Sequence, residues 1–443
     1  MMRQLELLIG EEAFRAGMRD YLSTYAGGNA TWPNLIDILD KRSDQDLKAW
    51  SEVWVNTPGR PHFEVSEAGN GLIQIDPLGR GRVWDQQFEA IEASPNAESI
   101  FGQRYTNAQL LGQMTTRAPI PPIEPGILTN SDGAGYGLFP VNLSLVEAVW
   151  ADLSDLQKGA QLINLYEQML EGHEQVTPTR YMAFLIAHLE EPNELLLNTL
   201  LGQMRRTYWS FLSDEERLAT TTQLEALLWR HIDDESKSIS TRRLYLNTLQ
   251  NIELHRGSYD RLRALLDQSS ELLQSERARG ALVAELAIRF KDDADELIEQ
   301  HLAGLKSPDE ERRFAFIAPV LSADEGEWDA FFNRLNAEEN RAIESWIVDA
   351  LAYLHHPLRT HSSERYLQRS LELMEEIQRT GDIFFPGRWI TGTLANHKTP
   401  SAAATVRRFL SERPDYNYQL NLKILQGADM LFRASAHGEQ GRP

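Results

Sequence analysis

The 443-residue sequence contains no cysteine. This absence excludes disulfides, thiolate metal sites and cysteine nucleophiles. It does not indicate a compartment, because proteins of reducing and of oxidising compartments both tolerate a lack of cysteine. The opening residues, MMRQLELLIGEE, contain no basic segment followed by an apolar stretch and so do not resemble a signal peptide. Localisation stays open between the cytoplasm and, with an upstream signal, the periplasm or the exterior.

Long apolar runs and positive charge are also scarce. No run approaches the ~18 apolar residues that a membrane span requires, so no span is expected. The 44 Lys and Arg residues face 65 Asp and Glu residues, a net charge of −21 that repels a phosphate backbone and argues against a nucleic-acid partner. Four arginine doublets are far apart in the sequence and are predicted to lie on solvated helix faces: Arg205-Arg206, Arg242-Arg243, Arg312-Arg313 and Arg407-Arg408.

Catalytic motifs are missing as well. A helical zinc-peptidase site needs two histidines four residues apart, with a glutamate beside the first. None of the eleven histidines has such a partner. The densest group, His355, His356 and His361, is interrupted by Pro357 and is predicted to be a helix end rather than a metal site. No Gly-x-Ser-x-Gly nucleophile motif occurs.

The sequence does contain strong secondary-structure patterns, and the first 57 residues predict helices. Residues 2–26 have apolar side chains at three- and four-residue spacings, which predicts one amphipathic helix that ends at Gly27-Gly28. Thr31 is a candidate N-cap for a second helix, with Pro33 in its first turn. A third short helix is expected around residues 44–54.

Residues 58–142 change to a two-residue period. Short alternating runs separated by glycine turns predict a small antiparallel β domain, with a last strand at Tyr136–Phe139. The proline-rich residues 118–126 are expected to be extended. Glycines alternate from Gly133 to Gly137, but no Lys-Ser/Thr follows them. A tight hairpin turn at Asn130–Gly133 is therefore the better interpretation than a phosphate loop.

Residues 143–443 predict amphipathic helices almost without interruption. Ser213 and Ser307 begin capping-box patterns with Glu216 and Glu310. Helices of ordinary length joined by short turns should stack as antiparallel pairs, as in solenoid proteins. No pair repeats its neighbour's sequence, so periodicity alone indicates no named repeat family.

One aromatic turn, Phe384-Phe385-Pro386-Gly387-Arg388-Trp389, allows two interpretations. The rings could pack a corner between helices. Alternatively, Arg388 projects into a cavity and binds a substrate carboxylate, with Trp389 beside it. Arg388 and Trp389 are therefore the candidate substrate-contact residues.

Four segments together resemble the aminopeptidase N-like zinc metallopeptidases, also called gluzincin aminopeptidases. They are Leu8-Ile-Gly-Glu-Glu-Ala-Phe-Arg-Ala-Gly-Met-Arg-Asp-Tyr21 with Asn29-Ala-Thr31, WSEVWVNTPGRP at Trp50–Pro61, DGAGYGLF at Asp132–Phe139, and the run from Gly381 to Arg433. The four segments lie in all three regions of the sequence (residues 1–57, 58–142 and 143–443) and occur in the same order as in the family. The resemblance is strong over the first 60 residues and moderate beyond them.

The resemblance implies where the catalytic residues lie. In the family, the zinc helix, the Gly-x-Met-Glu-Asn strand that holds the substrate amine, and the tyrosine that stabilises the tetrahedral intermediate lie upstream of the matched part. No position here matches them, so no catalytic or metal-binding residue is carried over. Zinc is implied for the full-length enzyme, and none is expected on this chain.

The implied fold is mainly α. Residues 1–57 would be the last helices of a thermolysin-like catalytic domain, residues 58–142 a small β-sandwich, and residues 143–443 a C-terminal α-helical superhelix. The implied partners are the upstream catalytic half of the same polypeptide and the peptide substrate. The alternative is a stand-alone helical scaffold that binds protein partners. An amphipathic helix that starts at residue 2 without a cap favours the first interpretation.

Overall fold

The computed structural model of the chain describes residues 1–67, 73–78, 84–93, 101–106, 114–115, 126–252, 254–267 and 270–440. The chain folds into two compact units, Met1–Phe184 and Leu185–Pro443. Of the predicted extended segment at residues 118–126, residues 118–125 lie outside the described residues. The predicted domain bounds at 57/58 and 142/143 stay a prediction.

The first unit begins with four short helices, α1 (Met2–Ile9), α2 (Glu11–Thr24), α3 (Trp32–Asp40) and α4 (Leu47–Ser51), and a π-helical turn at Glu52–Asn56. The prediction of one continuous helix over residues 2–26 is wrong. Gly10 has φ +85°, a left-handed value that glycine adopts at little cost, and it separates α1 from α2. The predicted cap is confirmed, because the backbone N–H of Thr31 donates to Asn34 Oδ1 at 2.9 Å and closes a capping box at the start of α3.

The apolar faces of these helices share one core. This core buries Leu5 of α1, Leu35 and Leu39 of α3, and Leu47 and Trp50 of α4. Burial of such a stripe is the main driving force that holds short helices together, since helices of this length are marginal alone.

Six strands follow: β1 (His62–Glu67), β2 (Ile73–Leu78), β3 (Gln87–Ala93), β4 (Phe101–Thr106), β5 (Met114–Thr115) and β6 (Gly126–Leu128). They form two antiparallel sheets, with strand orders β1-β2-β5 and β4-β3-β6. Phe63 of β1 and Phe88 of β3 lie 5.3 Å apart between ring centroids, and Phe139 stacks on Phe63 at 4.6 Å. The two sheets therefore share an aromatic core, as in a small sandwich.

The predicted last strand at Tyr136–Phe139 is wrong. Only Leu138 forms a bridge there, to His62, and the surrounding residues are irregular. Gly137 has φ +154°, and a Cβ at this position would lie 2.7 Å from the Phe63 ring. A turn does form before it, with Gly133 N–H donating to the Asn130 carbonyl at 3.0 Å, but it is not the predicted hairpin turn, because β6 pairs with β3 and not with a following strand.

The first unit ends with α5 (Leu143–Val149) and α6 (Asp155–Leu170), and α7 (Pro178–Ala187) crosses into the second unit. The second unit consists of α8 (Glu194–Ser210), α9 (Asp214–Asp233), α10 (Ile239–Gln250), α11 (Arg256–Asp267), α12 (Glu276–Arg289), α13 (Ala294–Gly304), α14 (Pro308–Leu321), α15 (Glu325–Arg334), α16 (Glu344–Leu354), α17 (Thr360–Ser363), α18 (Leu367–Glu372), α19 (Met374–Thr380), α20 (Phe385–Leu394), α21 (Pro400–Ser411) and α22 (Tyr418–Gln440). Short 3-10 turns occur at Trp150–Asp152 in the first unit, and at Glu271–Leu273, Lys291–Asp293, Glu338–Arg341, Pro357–Arg359 and Glu364–Tyr366 in the second.

Neighbouring helices of the second unit pack as pairs, among them α9 with α10, α12 with α13, α14 with α16, and α20 with α22. The capping box predicted at Ser213 is confirmed, whereas at Ser307 only the N-cap bond forms, because the Ser307 backbone N–H donates to Glu276 at 3.1 Å and not to Glu310. Ser213 exchanges hydrogen bonds with Glu216 at the start of α9, and Ser307 Oγ accepts from Glu310 N–H at the start of α14. The prediction of a mainly α chain with a small antiparallel β portion and a helical C-terminal region is confirmed. None of the helices described has the length and apolar character needed to cross a membrane.

Candidate functional site

The two residues singled out for substrate contact lie at the start of α20 and differ sharply in exposure. Trp389 is fully buried, and its indole N–H donates to the Ser370 carbonyl at 3.1 Å. Its ring packs against Phe385 with centroids 6.1 Å apart. Arg388 is exposed, with its guanidinium 5.8 Å from the Phe384 ring centre. The geometry gives Trp389 a packing role in the helical core, and substrate contact by Arg388 stays a prediction.

The second unit contains a polar cavity of about 280 Å³, which we call the arginine cavity. Its lining comes from five parts of the helical array: Gly202, Arg205, Arg206, Trp209 and Ser210 of α8, Asn251 after α10, Glu285 of α12, Ala352, Tyr353, His356 and Pro357 around the end of α16, and Asn396 after α20. Concave sites with a few convergent polar groups are the usual form of small-molecule sites in proteins.

Two arginines form one wall of the arginine cavity. Arg205 and Arg206 are both half-buried, and so the prediction that this doublet decorates a solvated helix face is wrong. Burial, and to a smaller extent the charge of Arg206, lowers the pKa of Arg205. An arginine nevertheless stays protonated at neutral pH, because its ordinary pKa lies far above that range.

Another part of the lining of the arginine cavity carries a buried ion pair. Glu285 Oε2 accepts from Arg289 within α12, and it lies 3.2 Å from His356 Nε2. Burial alone would raise the pKa of Glu285, but the charge of Arg289 and the hydrogen bonds from Arg289 and His356 outweigh it and lower this pKa to about 2. Glu285 is therefore ionised at neutral pH, and its charge is matched by Arg289.

The tautomer of His356 follows from its two partners. Its Nδ1 accepts the backbone N–H of Leu358 at 3.2 Å, so the proton of the neutral ring sits on Nε2 and points at Glu285. Burial lowers the pKa of His356 against the opposing effect of Glu285, which keeps the ring neutral at neutral pH. Trp209 packs edge-on against this imidazole, with ring centroids 6.0 Å apart.

Tyr353 completes this part of the lining. Burial and then the carboxylates of Glu285 and Asp349 raise its pKa, so the hydroxyl stays protonated and available as a donor. Within the part of the chain that the structure describes, this hydroxyl has no hydrogen-bond partner. Two sequence patterns included lining residues, the Arg205-Arg206 doublet and the histidine group with His356, but neither predicted that they meet, because α8, α12 and α16 are far apart along the chain.

The predicted histidine group is split by the fold. His355 and His356 are buried at the end of α16, whereas His361 is exposed. His355 bonds to His397 instead, with Nδ1 and Nε2 2.9 Å apart. The interpretation of this group as a helix end with packed or exposed imidazoles agrees with these positions.

Several known proteins resemble this chain over part of its sequence, although no family model matches it. Aminopeptidase N of Streptomyces lividans is 37% identical over 73 residues, which is 16% of this chain and 8% of that protein. The tricorn protease-interacting factor F2 of Thermoplasma acidophilum is 22% identical over 216 residues, or 47% of this chain and 25% of that protein. Probable aminopeptidase 2 of Sulfurisphaera tokodaii is 25% identical over 209 residues, which is 46% of this chain and 25% of that protein.

The fold extends this likeness to almost the whole chain. The crystal structure of Legionella pneumophila aminopeptidase A in complex with aspartic acid matches 99% of this chain with a TM-score of 0.60 at 13% identity. This chain is similar to aminopeptidases in sequence over part of its length and in fold over nearly all of it. The resemblance to the C-terminal portion of aminopeptidase N-like enzymes is confirmed to that extent. The sequence matches span 8% to 25% of these relatives' own length, and the fold match spans 56% of the Legionella chain.

Zinc, which the family resemblance implies for the full-length enzyme, does not fit the residues of this chain that the structure describes. The sequence contains no pair of histidines four residues apart. Among the residues that the structure describes, no group of three or more His, Asp or Glu side chains is arranged to hold a metal ion. A peptidase zinc site takes three protein ligands, so no catalytic step can be assigned to a metal bound here.

Proposed function

We propose that this chain is the non-catalytic C-terminal portion of a zinc aminopeptidase, an enzyme that removes N-terminal residues from peptides. The observation that carries the proposal is a likeness of fold to an aminopeptidase over 99% of this chain, combined with a residue set that contains no peptidase zinc motif. The proposed partners are the upstream catalytic half of the same polypeptide and the peptide substrate.

The role of such a portion is to close the chamber around the active site and limit which peptides enter. A helical wall excludes water from the reaction and contacts the distal end of the peptide, which helps to orient the scissile bond. Bond cleavage itself would depend on residues of the catalytic half.

The isolated chain tests the catalytic part of this proposal. We expect elemental analysis of the purified chain to find far less than one zinc per chain, and we expect no hydrolysis of amino-acid p-nitroanilides. A purified aminopeptidase N serves as the positive control in both assays. Stoichiometric zinc, or hydrolysis that a chelator abolishes, would show that the chain carries a catalytic site and would refute the proposal.

A different class of function is a stand-alone helical scaffold that binds protein partners. It is favoured by an exposed apolar row on α22, where Tyr418, Leu422 and Leu425 are 74%, 47% and 43% exposed at helical spacing. The genomic reading frame discriminates the two functions. A frame that continues upstream of Met1 and encodes His-Glu-x-x-His supports the enzyme, whereas a stop codon and ribosome-binding site directly before Met1 support the scaffold.

A further inference from the structure

The arginine cavity contains positive charge that the protein itself does not neutralise. Arg205 Nη1 donates to Thr248 Oγ1 at 3.1 Å, and Arg206 Nη1 donates to the Ala395 carbonyl at 3.2 Å. Both acceptors are neutral. In the described ranges of the chain, neither guanidinium has a carboxylate within ion-pair distance, although the chain as a whole has a net charge of −21. A guanidinium has five N–H donors, and these two bonds use one donor of each side chain.

The one carboxylate in the cavity lining does not cancel this charge. Glu285 is already matched by Arg289, the buried partner one helical turn away in α12. Two guanidinium charges therefore remain on the cavity wall. A cleft with low-dielectric walls concentrates the field of such charges and attracts an anion of complementary shape.

We propose that the arginine cavity binds a carboxylate-bearing ligand through Arg205 and Arg206. The planar fork of a guanidinium matches the two oxygens of a carboxylate, and such charge-assisted pairs are among the stronger hydrogen bonds in proteins. The ring of Trp209, with Ala352 and Pro357, supplies apolar surface for the body of the ligand. This assignment goes beyond the proposed function, because it concerns a binding site and holds whether or not the chain belongs to a peptidase.

The carboxylate could be that of a free organic acid or that of a peptide's C terminus, and titration calorimetry with the full chain distinguishes these sources. The probes are succinate, N-acetyl-alanyl-alanine, the C-terminal amide of that dipeptide, and inorganic phosphate. We expect saturable binding of at least one of the two carboxylates and no binding of the amide. Binding of succinate alone identifies a free acid, and binding of the acetylated dipeptide alone identifies a peptide end. Equal binding of the dipeptide and its amide, a preference for phosphate, or no binding of either carboxylate overturns the proposal.

Substitutions then locate the site. Arg205→Gln and Arg206→Gln should each weaken carboxylate binding about tenfold or more, since each removes charge-assisted hydrogen bonds. Arg19→Gln is the matched control, because it makes the same charge change at an exposed position of α2 and should leave binding unchanged. Arg205→Lys keeps the charge but loses the fork, so its affinity should lie between those of the wild type and Arg205→Gln. Melting temperatures of all variants confirm that each is folded, and binding unchanged in both folded glutamine variants contradicts the assignment.

Discussion

Nδ1 of His355 lies 2.9 Å from Nε2 of His397, and both imidazoles are buried in the helical core of the second unit. Two neutral rings can share one proton across this contact, but two charged rings would repel each other. The outer nitrogens, Nε2 of His355 and Nδ1 of His397, have no hydrogen-bond partner within the described residues. Burial lowers the pKa of both rings, that of His397 to about 4 against the opposing charge of Glu364.

The buried pair predicts a loss of stability in mild acid. In the unfolded chain each ring takes up a proton below about pH 6.5, whereas the native chain keeps both rings neutral until a much lower pH. Because the unfolded state binds more protons in this window, the free energy of unfolding should fall as the pH drops from about 6.5 to about 4. Urea unfolding followed by circular dichroism at several pH values measures the slope. His397→Gln removes one of the titrating rings and should reduce the slope, and an unchanged slope would contradict this origin.

The ion pair between Glu285 and Arg289 predicts a large effect of a single truncation. Glu285→Ala leaves Arg289 buried without its partner and removes the acceptor of His356, so the free energy of unfolding should fall by about 3–5 kcal/mol. Glu11 and Arg15 form an ion pair with the same four-residue spacing on an exposed helix face, which makes Glu11→Ala the matched control. An exposed pair contributes only about 0.3–0.5 kcal/mol. Chemical denaturation measures both variants, and similar losses in the two would refute the assigned role of burial.

Gly137 should not tolerate a side chain. Its φ of +154° is unfavourable for other residues, and a Cβ would lie 2.7 Å from the Phe63 ring and 2.8 Å from the Pro61 carbonyl oxygen. Gly137→Ala should lower the free energy of unfolding by about 1–3 kcal/mol, because the aromatic core between the sheets has to move. Gly387 in α20 has open space around it, so Gly387→Ala should be neutral or stabilise by up to about 1 kcal/mol. Thermal melting compares the two, and an equal effect would count against the close packing at Gly137.

Substitutions of Arg388 and of Trp389 should differ in their effects on stability and on enzyme kinetics. Trp389→Ala removes a fully buried ring and should cost about 3–5 kcal/mol of unfolding free energy, whereas Arg388→Ala should change it by less than about 0.5 kcal/mol. In the full-length enzyme of the proposed function, Arg388→Ala should raise KM for longer peptides and leave KM for single-residue anilides unchanged. Unchanged kinetics with every peptide length would remove Arg388 from the substrate-contact residues.

The features that could be predicted from the sequence depend on short-range interactions. Thr31 bonds to a residue three positions away, as do Ser213 and Ser307, so each cap is visible as a local pattern. The change from a helical to a two-residue period near residue 60 likewise predicted where strands replace helices. Gly10 was missed because a glycine inside an apolar stripe is compatible with a continuous helix, and only its backbone angle shows the break.

By itself, the sequence determined the helical class of the chain, its local caps and turns, and the absence of cysteine and of a histidine pair for zinc, since all of these are properties of residue types and their spacing. Only the tertiary structure decided that Arg205 and Arg206 line a cavity, that His356 contacts Glu285 there, and that Trp389 is a core residue. The physical reason is that burial and electrostatic environment are set by residues far away in the chain, and the cavity lining extends from Gly202 to Asn396.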